Sequence, residues 1–90
     1  MSYNEETFTS ALDTQLQLIR SLLIEKNRAY GDSALMPLRC FSKASVIEQL
    51  LVRIDDKLSR VQRGSNAGED VEIDLIGYLV MLRIARENAL

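Results

Sequence analysis

The chain has 90 residues, of which 47% are hydrophobic and 27% are charged, and its formal net charge is −2. This composition predicts one small folded domain over residues 1–90, and its acidic balance gives no reason to expect a polymeric nucleic acid or a membrane as partner. With no histidine and a single cysteine, the chain lacks the residues for Ser-His-Asp or Cys-His catalysis and for a zinc site.

The first helix is predicted from a polar cap and a regular apolar stripe. Asn4 or Ser2 can cap it, and the helix should run to about Asn27 and stop before Gly31, which permits positive φ. The apolar residues of the stripe follow one another in steps of four, four, three and four: Phe8, Leu12, Leu16, Ile19 and Leu23.

The connector from Ser33 to Lys43 contains the only proline, Pro37, and is too apolar for a solvated linker. We expect it to fold over one end of a helical bundle and to fill part of its core. Cys40 lies in this segment and is interpreted as a small packed thiol, because the chain has no histidine to activate it. A single cysteine, a polar and acidic N-terminus and the absence of an apolar run as long as a membrane span predict a cytoplasmic protein.

Ser42 or Ser45 can cap a second helix, and Ser45 has capping-box spacing with Glu48. Charged residues alternate along its other side, and this pattern is typical of a solvated surface with i,i+4 ion pairs such as Asp56 with Arg60. Its apolar stripe comprises Ile47, Leu50, Leu51, Ile54, Leu58 and Val61.

The third helix is predicted from near Glu69 to about Asn88, and it is apolar almost all the way round. Such a helix is normally buried, yet Asp70 and Asp74 share one of its faces. A carboxylate on a buried helix requires either a basic partner or a cation, and both alternatives are open at this point. Gly77 indicates a close helix approach or room for a ligand.

These segments predict an all-α domain of three main helices with a folded connector. A chain of this size buries a modest core, so we expect a homo-oligomer, a dimer or tetramer, to complete the bundle.

Three motifs in this order resemble a known family. They are Lys26-x-x-x-Tyr30-Gly31-Asp32, then Arg53-Ile54-Asp55-Asp56-Lys57-Leu58-Ser59-Arg60, then Asp70-x-x-x-Asp74-Leu75-x-x-Tyr78. Together they resemble a phage nucleotide-modification-associated domain related to the MazG-like all-α nucleoside triphosphate pyrophosphatases, over about Glu25 to Leu82.

The resemblance implies an oligomeric bundle in which acidic residues hold Mg²⁺ against a nucleotide and water cleaves between its α- and β-phosphates. It implies metal ligands at Asp56, Asp70 and Asp74, with Glu69 as a weaker one, and catalytic roles for Asp56 and Asp74. It also implies a group of residues for the substrate: Lys26, Tyr30, Asp32, Arg53, Lys57, Arg60 and Tyr78.

The acidic pattern departs from that of the hydrolytic relatives, which carry ExxE and ExxD pairs. Val71 stands three before Asp74, and Arg53 stands three before Asp56. A second hypothesis is therefore a non-enzymatic, phage-type interaction protein in the host cytoplasm, which sequesters a nucleotide signal or inhibits a host defence protein. Its motif residues would then form structural ion pairs. A third hypothesis, oligomeric scaffolding alone, has only the amphipathic stripes in its favour.

Overall fold

A computed structural model describes residues 4–64, 68 and 70–90 of the chain. The described part contains three helices and no strand: α1 is Glu5–Ala29, α2 is Val46–Gln62 and α3 is Val71–Glu87. The prediction of an all-α domain with three main helices and a connector is confirmed. Within the described ranges, none of these helices combines the length and the apolar character that crossing a membrane requires.

The helix boundaries follow from local hydrogen bonding at the caps. The side chains of Asn4, Ser45 and Asp70 each accept a hydrogen bond from the backbone amide three residues later, at 2.8, 3.0 and 3.1 Å. Asn4 and Ser45 were each one of two predicted caps. Of the two alternatives, Ser2 lies outside the described residues, and the Ser42 hydroxyl accepts a hydrogen bond from the Ala44 amide before α2 begins. Gly31 has a φ of +60° just after α1, as its position indicated.

The core lies between α2 and α3. Val46 and Leu50 of α2 are buried against Leu82 and Ala85 of α3, and Leu50 is the most completely enclosed large side chain, with 1% exposure. Ala34 and other half-buried apolar residues pack around this cluster. The two shorter helices therefore form the compact part of the molecule.

The remaining helix, α1, runs antiparallel to α3 and contacts it through its C-terminal half. Lys26 pairs with Asp74, while Leu23 lies over Gly77, and a Cβ at Gly77 would come 2.8 Å from Leu23 Cδ2. Gly77 thus marks a close helix approach, one of the two roles expected for it. Nowhere along its 25 residues does α1 bury a side chain.

Two expectations about burial are wrong for this single chain. The connector packs only its first residues, Ala34 and Leu35, against the core. Beyond them the chain leaves the end of the bundle, so Leu38 and Phe41 are exposed and Cys40 is an exposed thiol rather than a packed one.

The second wrong expectation concerns α3, which was expected to be buried on every side. Its outer face stays more than one-third exposed, because α1 covers only a narrow strip of it. The exposed apolar residues of that face are Ile76, Leu79, Val80 and Ile84.

Candidate functional site

A cavity of about 270 Å³ lies where the three helices meet. Leu22 and Leu23 of α1 and Ile73 and Met81 of α3 form its apolar wall. Its polar wall contains Asp74, which was predicted as a catalytic residue and metal ligand, and most of the residues that the sequence motifs predicted for a substrate: Lys26, Tyr30, Arg53, Lys57, Arg60 and Tyr78.

Asp74 is held by two ammonium groups. Its Oδ1 accepts a hydrogen bond from Lys26 Nζ, and its Oδ2 accepts one from Lys57 Nζ, both at 2.9 Å. The sequence left open whether a basic residue or a metal cation meets this carboxylate. In the described structure, two basic residues meet it. Asp74 therefore joins all three helices.

The charges in this triad stabilise one another. Burial opposes ionisation of Asp74, but the hydrogen bonds from Lys57 and Lys26 outweigh it and hold the pKa of the carboxyl below its ordinary value. The same hydrogen bond from Lys26 to Asp74 raises the pKa of Lys26, against a smaller desolvation effect. Asp74 is thus an ionised carboxylate at neutral pH and a positioning group for the two lysines.

Lys57 is as deeply buried as the core, with 3% exposure. The resemblance placed Lys57 among the residues for a substrate, and its spacing along α2 also carried a signal of burial. Leu50, Ile54, Lys57 and Val61 follow one another in steps of four, three and four, so Lys57 occupies an inward position of α2. A lysine at such a position requires a carboxylate partner, and Asp74 supplies it.

The other two cationic groups of the cavity are the guanidinium groups of Arg53 and Arg60 on α2. Arg60 Nε lies 3.3 Å from Asp56 Oδ2, which confirms the predicted i,i+4 pair. Arg53 is exposed and forms no hydrogen bond or ion pair with any described residue. Among the described residues that line the cavity, four side chains are cationic and Asp74 alone is anionic.

The remaining predicted residues lie outside this cavity. Asp32 accepts a hydrogen bond from the Asn27 side chain and lines a neighbouring groove, while Asp70 caps α3. Asp56 is 63% exposed beside Arg60. Glu69 is outside the described residues.

A Mg²⁺ site finds little support in these positions. Both oxygens of Asp74 already accept hydrogen bonds from lysines, and Asp56 and Asp70 are engaged elsewhere. Across residues 4–64, 68 and 70–90 there is no group of three or more Asp, Glu, His or Cys side chains that could hold a metal ion. The described donors therefore do not fit the magnesium centre that the resemblance implies.

Two polar lining residues, Asn27 and Ser33, were not singled out from the sequence. Asn27 is three residues before Tyr30 and therefore shares a helix face with it, which is a signal that spacing alone could have provided. Ser33 follows the turn at Gly31, and only the path of the chain after α1 brings it to the cavity. These residues add hydrogen-bonding groups beside the tyrosine.

Comparison with known proteins finds no matching family model, no curated protein and no solved structure with significant similarity to this chain. What the cavity can bind is therefore inferred from its own residues. Four cationic side chains favour an anion, and Lys and Arg are the usual partners of phosphate. Two tyrosines and an apolar wall favour a ring on the same ligand.

Proposed function

We propose that this chain is a nucleotide-binding protein whose basic cavity holds phosphate without a metal ion. The observation that carries the proposal is the excess of cationic side chains in a cavity shared by all three helices. An excess of positive charge in a partly enclosed site attracts an anionic ligand and offsets the cost of removing its phosphate from water.

The phosphate would be bound mainly by Arg53 and Lys26. Arg53 is exposed at the cavity and has no partner among the described residues, so its guanidinium can form a two-pronged contact with phosphate oxygens. The Lys26 side chain is 48% exposed and can donate to a phosphate while it keeps Asp74 as a neighbour. Lys57 is already enclosed, so its charge adds attraction at the floor of the cavity.

The ring of the nucleotide would lie against Tyr30 and Tyr78. Tyr30 is 69% exposed, so its ring is available for stacking, and Tyr78 is half-buried on α3. The volume of about 270 Å³ is near the lower end of small-molecule sites. That size favours a compact ligand, on the scale of a mononucleotide.

We favour binding over hydrolysis, because the carboxylates Asp70 and Asp74 that would hold Mg²⁺ already accept hydrogen bonds from other groups. Such a chain would act by sequestering a nucleotide signal in the cytoplasm. The alternative for a non-enzymatic protein of this kind is that it inhibits a host defence protein. Mg²⁺-dependent pyrophosphohydrolysis stays a prediction of the family resemblance, and the same experiment tests it.

We also propose that the working form is a homo-oligomer, a dimer or tetramer. What supports this is the number of large apolar side chains that one copy leaves in water, from Phe8 on α1 to Ile84 on α3. Large exposed apolar surfaces in soluble proteins often mark sites of association with another chain.

The test is a thermal-shift and calorimetric titration with nucleoside mono-, di- and triphosphates and cyclic forms, each with and without Mg²⁺. We expect a compact nucleotide to raise the melting temperature in the absence of Mg²⁺. Arg53→Ala should lower the affinity for that nucleotide about 10- to 100-fold, because a charge-assisted hydrogen bond contributes roughly 1.5–3 kcal/mol.

Arg83→Ala is the matched control, since Arg83 is an exposed arginine on α3 that lies 3.8 Å from Glu87 and does not line the cavity. It should leave the affinity unchanged. If no nucleotide shifts the melting temperature, or if Arg53→Ala and Arg83→Ala bind equally well, the proposal is wrong. Release of pyrophosphate that requires Mg²⁺ would instead support the hydrolase hypothesis.

A further inference from the structure

One copy of this chain exposes more surface than a compact protein of its mass. Its accessible surface is 6940 Å², whereas a folded monomer of 10.2 kDa is expected to expose about 5,300 Å². Its radius of gyration is 15.6 Å, against about 12 Å for a compact domain of this length. The difference of roughly 1,600 Å² is surface that a compact fold would have covered.

Much of this surface is on the N-terminal half of α1. Phe8, Leu12 and Leu16, here called the α1 stripe, are 57%, 40% and 53% exposed. Their spacing continues the helix face that carries Ile19 and Leu23, and Leu23 lies over Gly77 of α3. The helices α1 and α3 are antiparallel and meet near Lys26 and Asp74. The N-terminal half of α1 therefore runs toward and past the C-terminal end of α3, and the α1 stripe stays exposed within one copy.

A groove of about 510 Å³ runs beside the other half of the same helix, between α1 and α3. Asn27, Arg28 and Asp32 supply its polar groups. Its apolar lining comprises Leu23, Ile24, Leu35, Val80, Met81 and Ile84. One helix thus carries both an uncovered apolar stripe and one wall of an uncovered apolar groove.

We propose that the α1 stripe of a second copy occupies this groove, in a two-fold symmetric dimer with antiparallel α1 helices. A two-fold axis places each stripe in the other copy's groove, so both surfaces are covered at once and the assembly closes. The 25 residues of α1 give a helix of about 37 Å along which the two copies can pair.

The charges along α1 favour this antiparallel arrangement. Its N-terminal half carries Glu5, Glu6 and Asp13 and no basic residue, whereas its C-terminal half carries Arg20, Lys26 and Arg28 with one acid, Glu25. Asp32 adds a second carboxylate at the groove.

Antiparallel pairing puts acidic halves against basic halves, and parallel pairing puts like charges together. Setting Asp13 opposite the partner's Arg20, and Glu5 opposite the partner's Arg28, places the two-fold axis beside Leu16 and Gln17.

The area is sufficient for a permanent dimer. A standard stable complex removes about 800 Å² from each partner, and the uncovered surplus here is roughly twice that. The groove also shares Leu23, Asn27 and Met81 with the candidate nucleotide cavity. The partner's helix would therefore form an outer wall beside that cavity, although the dimer does not depend on the nucleotide proposal.

The experiment is sedimentation equilibrium of the full chain at micromolar concentration, with helix content checked by circular dichroism. We expect the wild type to be a dimer, and Phe8→Glu with Leu12→Glu to be a folded monomer, since both side chains are exposed within one copy. Val52→Glu is the matched control: Val52 is 61% exposed on α2, outside the groove, and should leave the dimer intact.

Disulfide formation tests the orientation. In a Cys40→Ser background, Leu16→Cys should form a disulfide-linked dimer because it lies at the two-fold axis, whereas Phe8→Cys should not. Efficient linking by Phe8→Cys would indicate parallel helices and overturn the arrangement. A monomeric wild type would overturn the dimer altogether. A dimer that persists in the Phe8→Glu, Leu12→Glu variant would show that the α1 stripe does not form the interface.

Discussion

Removing the carboxylate of Asp74 is the most informative single perturbation of this protein. Asp74→Ala leaves Lys57 with 3% exposure and without the oxygen that lies 2.9 Å from its Nζ. It also removes the one ion pair identified between α1 and α3 in the described structure, which Lys26 provides. We therefore expect the variant to be strongly destabilised whether or not a ligand is present.

The magnitude follows from the burial of the pair. Breaking a buried ion pair by deleting one partner costs roughly 3–5 kcal/mol, and the 18% exposure of the Asp74 side chain places this case at about 3 kcal/mol. A 90-residue domain has a total stability of about 5–13 kcal/mol. The substitution should therefore lower the melting temperature by roughly 12–24 °C.

The assay is urea unfolding of Asp74→Ala, Lys57→Met and the double variant, followed by circular dichroism. If the loss acts through the contact between Asp74 and the buried ammonium of Lys57, the double variant should be more stable than the sum of the single effects predicts, by at least about 1 kcal/mol. Asp56→Ala is the control, because Asp56 is 63% exposed beside Arg60 and should change stability by no more than about 0.5 kcal/mol.

Two results would refute this reasoning. A loss below about 1 kcal/mol for Asp74→Ala would mean that Lys57 does not depend on Asp74. Exact additivity of the two substitutions would mean that the two residues do not interact. A folded Asp74→Ala protein that loses only Mg²⁺-dependent nucleotide turnover would instead support the metal role that the family resemblance implies for this residue.

Four further predictions concern acid sensitivity, capping, helix approach and the core. The pKa of Asp74 is lowered in the folded state, so the ionised carboxylate stabilises the fold at pH values above the unfolded pKa of about 3.9. That contribution is lost as the pH falls through the lower pKa of the folded state. Asp74→Asn should therefore make the free energy of unfolding less dependent on pH in the acid range. Asp70→Ala should cost about 1 kcal/mol in urea unfolding while Asp70→Ser retains the cap, and loss of nucleotide binding in a stable Asp70→Ser protein would argue for a ligand role. Gly77→Leu should lower stability by about 1–3 kcal/mol, because it displaces Leu23 of α1, and an unchanged melting temperature would contradict the close approach. Leu50→Ala should cost about 2–5 kcal/mol in the same assay, and a smaller loss would show that the α2–α3 core is not where the structure places it.

Much of the fold could be predicted because helix formation here is encoded locally. The Asn4 and Ser45 caps, the apolar periodicity of α1 and α2 and the turn at Gly31 depend on residues a few positions apart, and the structure contains each of them. The helix ends were displaced by one or two residues from their predicted positions, since neighbouring residues have similar preferences at a helix terminus. The third helix begins at Val71 because Asp70 is its cap.

The candidate site could be predicted only in part. Spacing along the chain predicts which motif residues share one side of a helix. Lys26 and Tyr30 are four residues apart, as are Asp74 and Tyr78, and all four line the cavity. Which carboxylate meets which cation depends on how the helices pack against each other. For that reason Asp56 and Asp70, chemically equal to Asp74 in the sequence, lie outside the cavity.

By itself the sequence determined the three helices, their caps and the set of charged residues available for a site, because short-range hydrogen bonds and periodicity are properties of the local chain. The tertiary structure decided that Lys57 is enclosed, that Asp74 binds two lysines and that half of α1 is left uncovered. Those outcomes depend on the angle and offset at which the helices pack, and the spacing of residues within one helix does not determine that angle or offset.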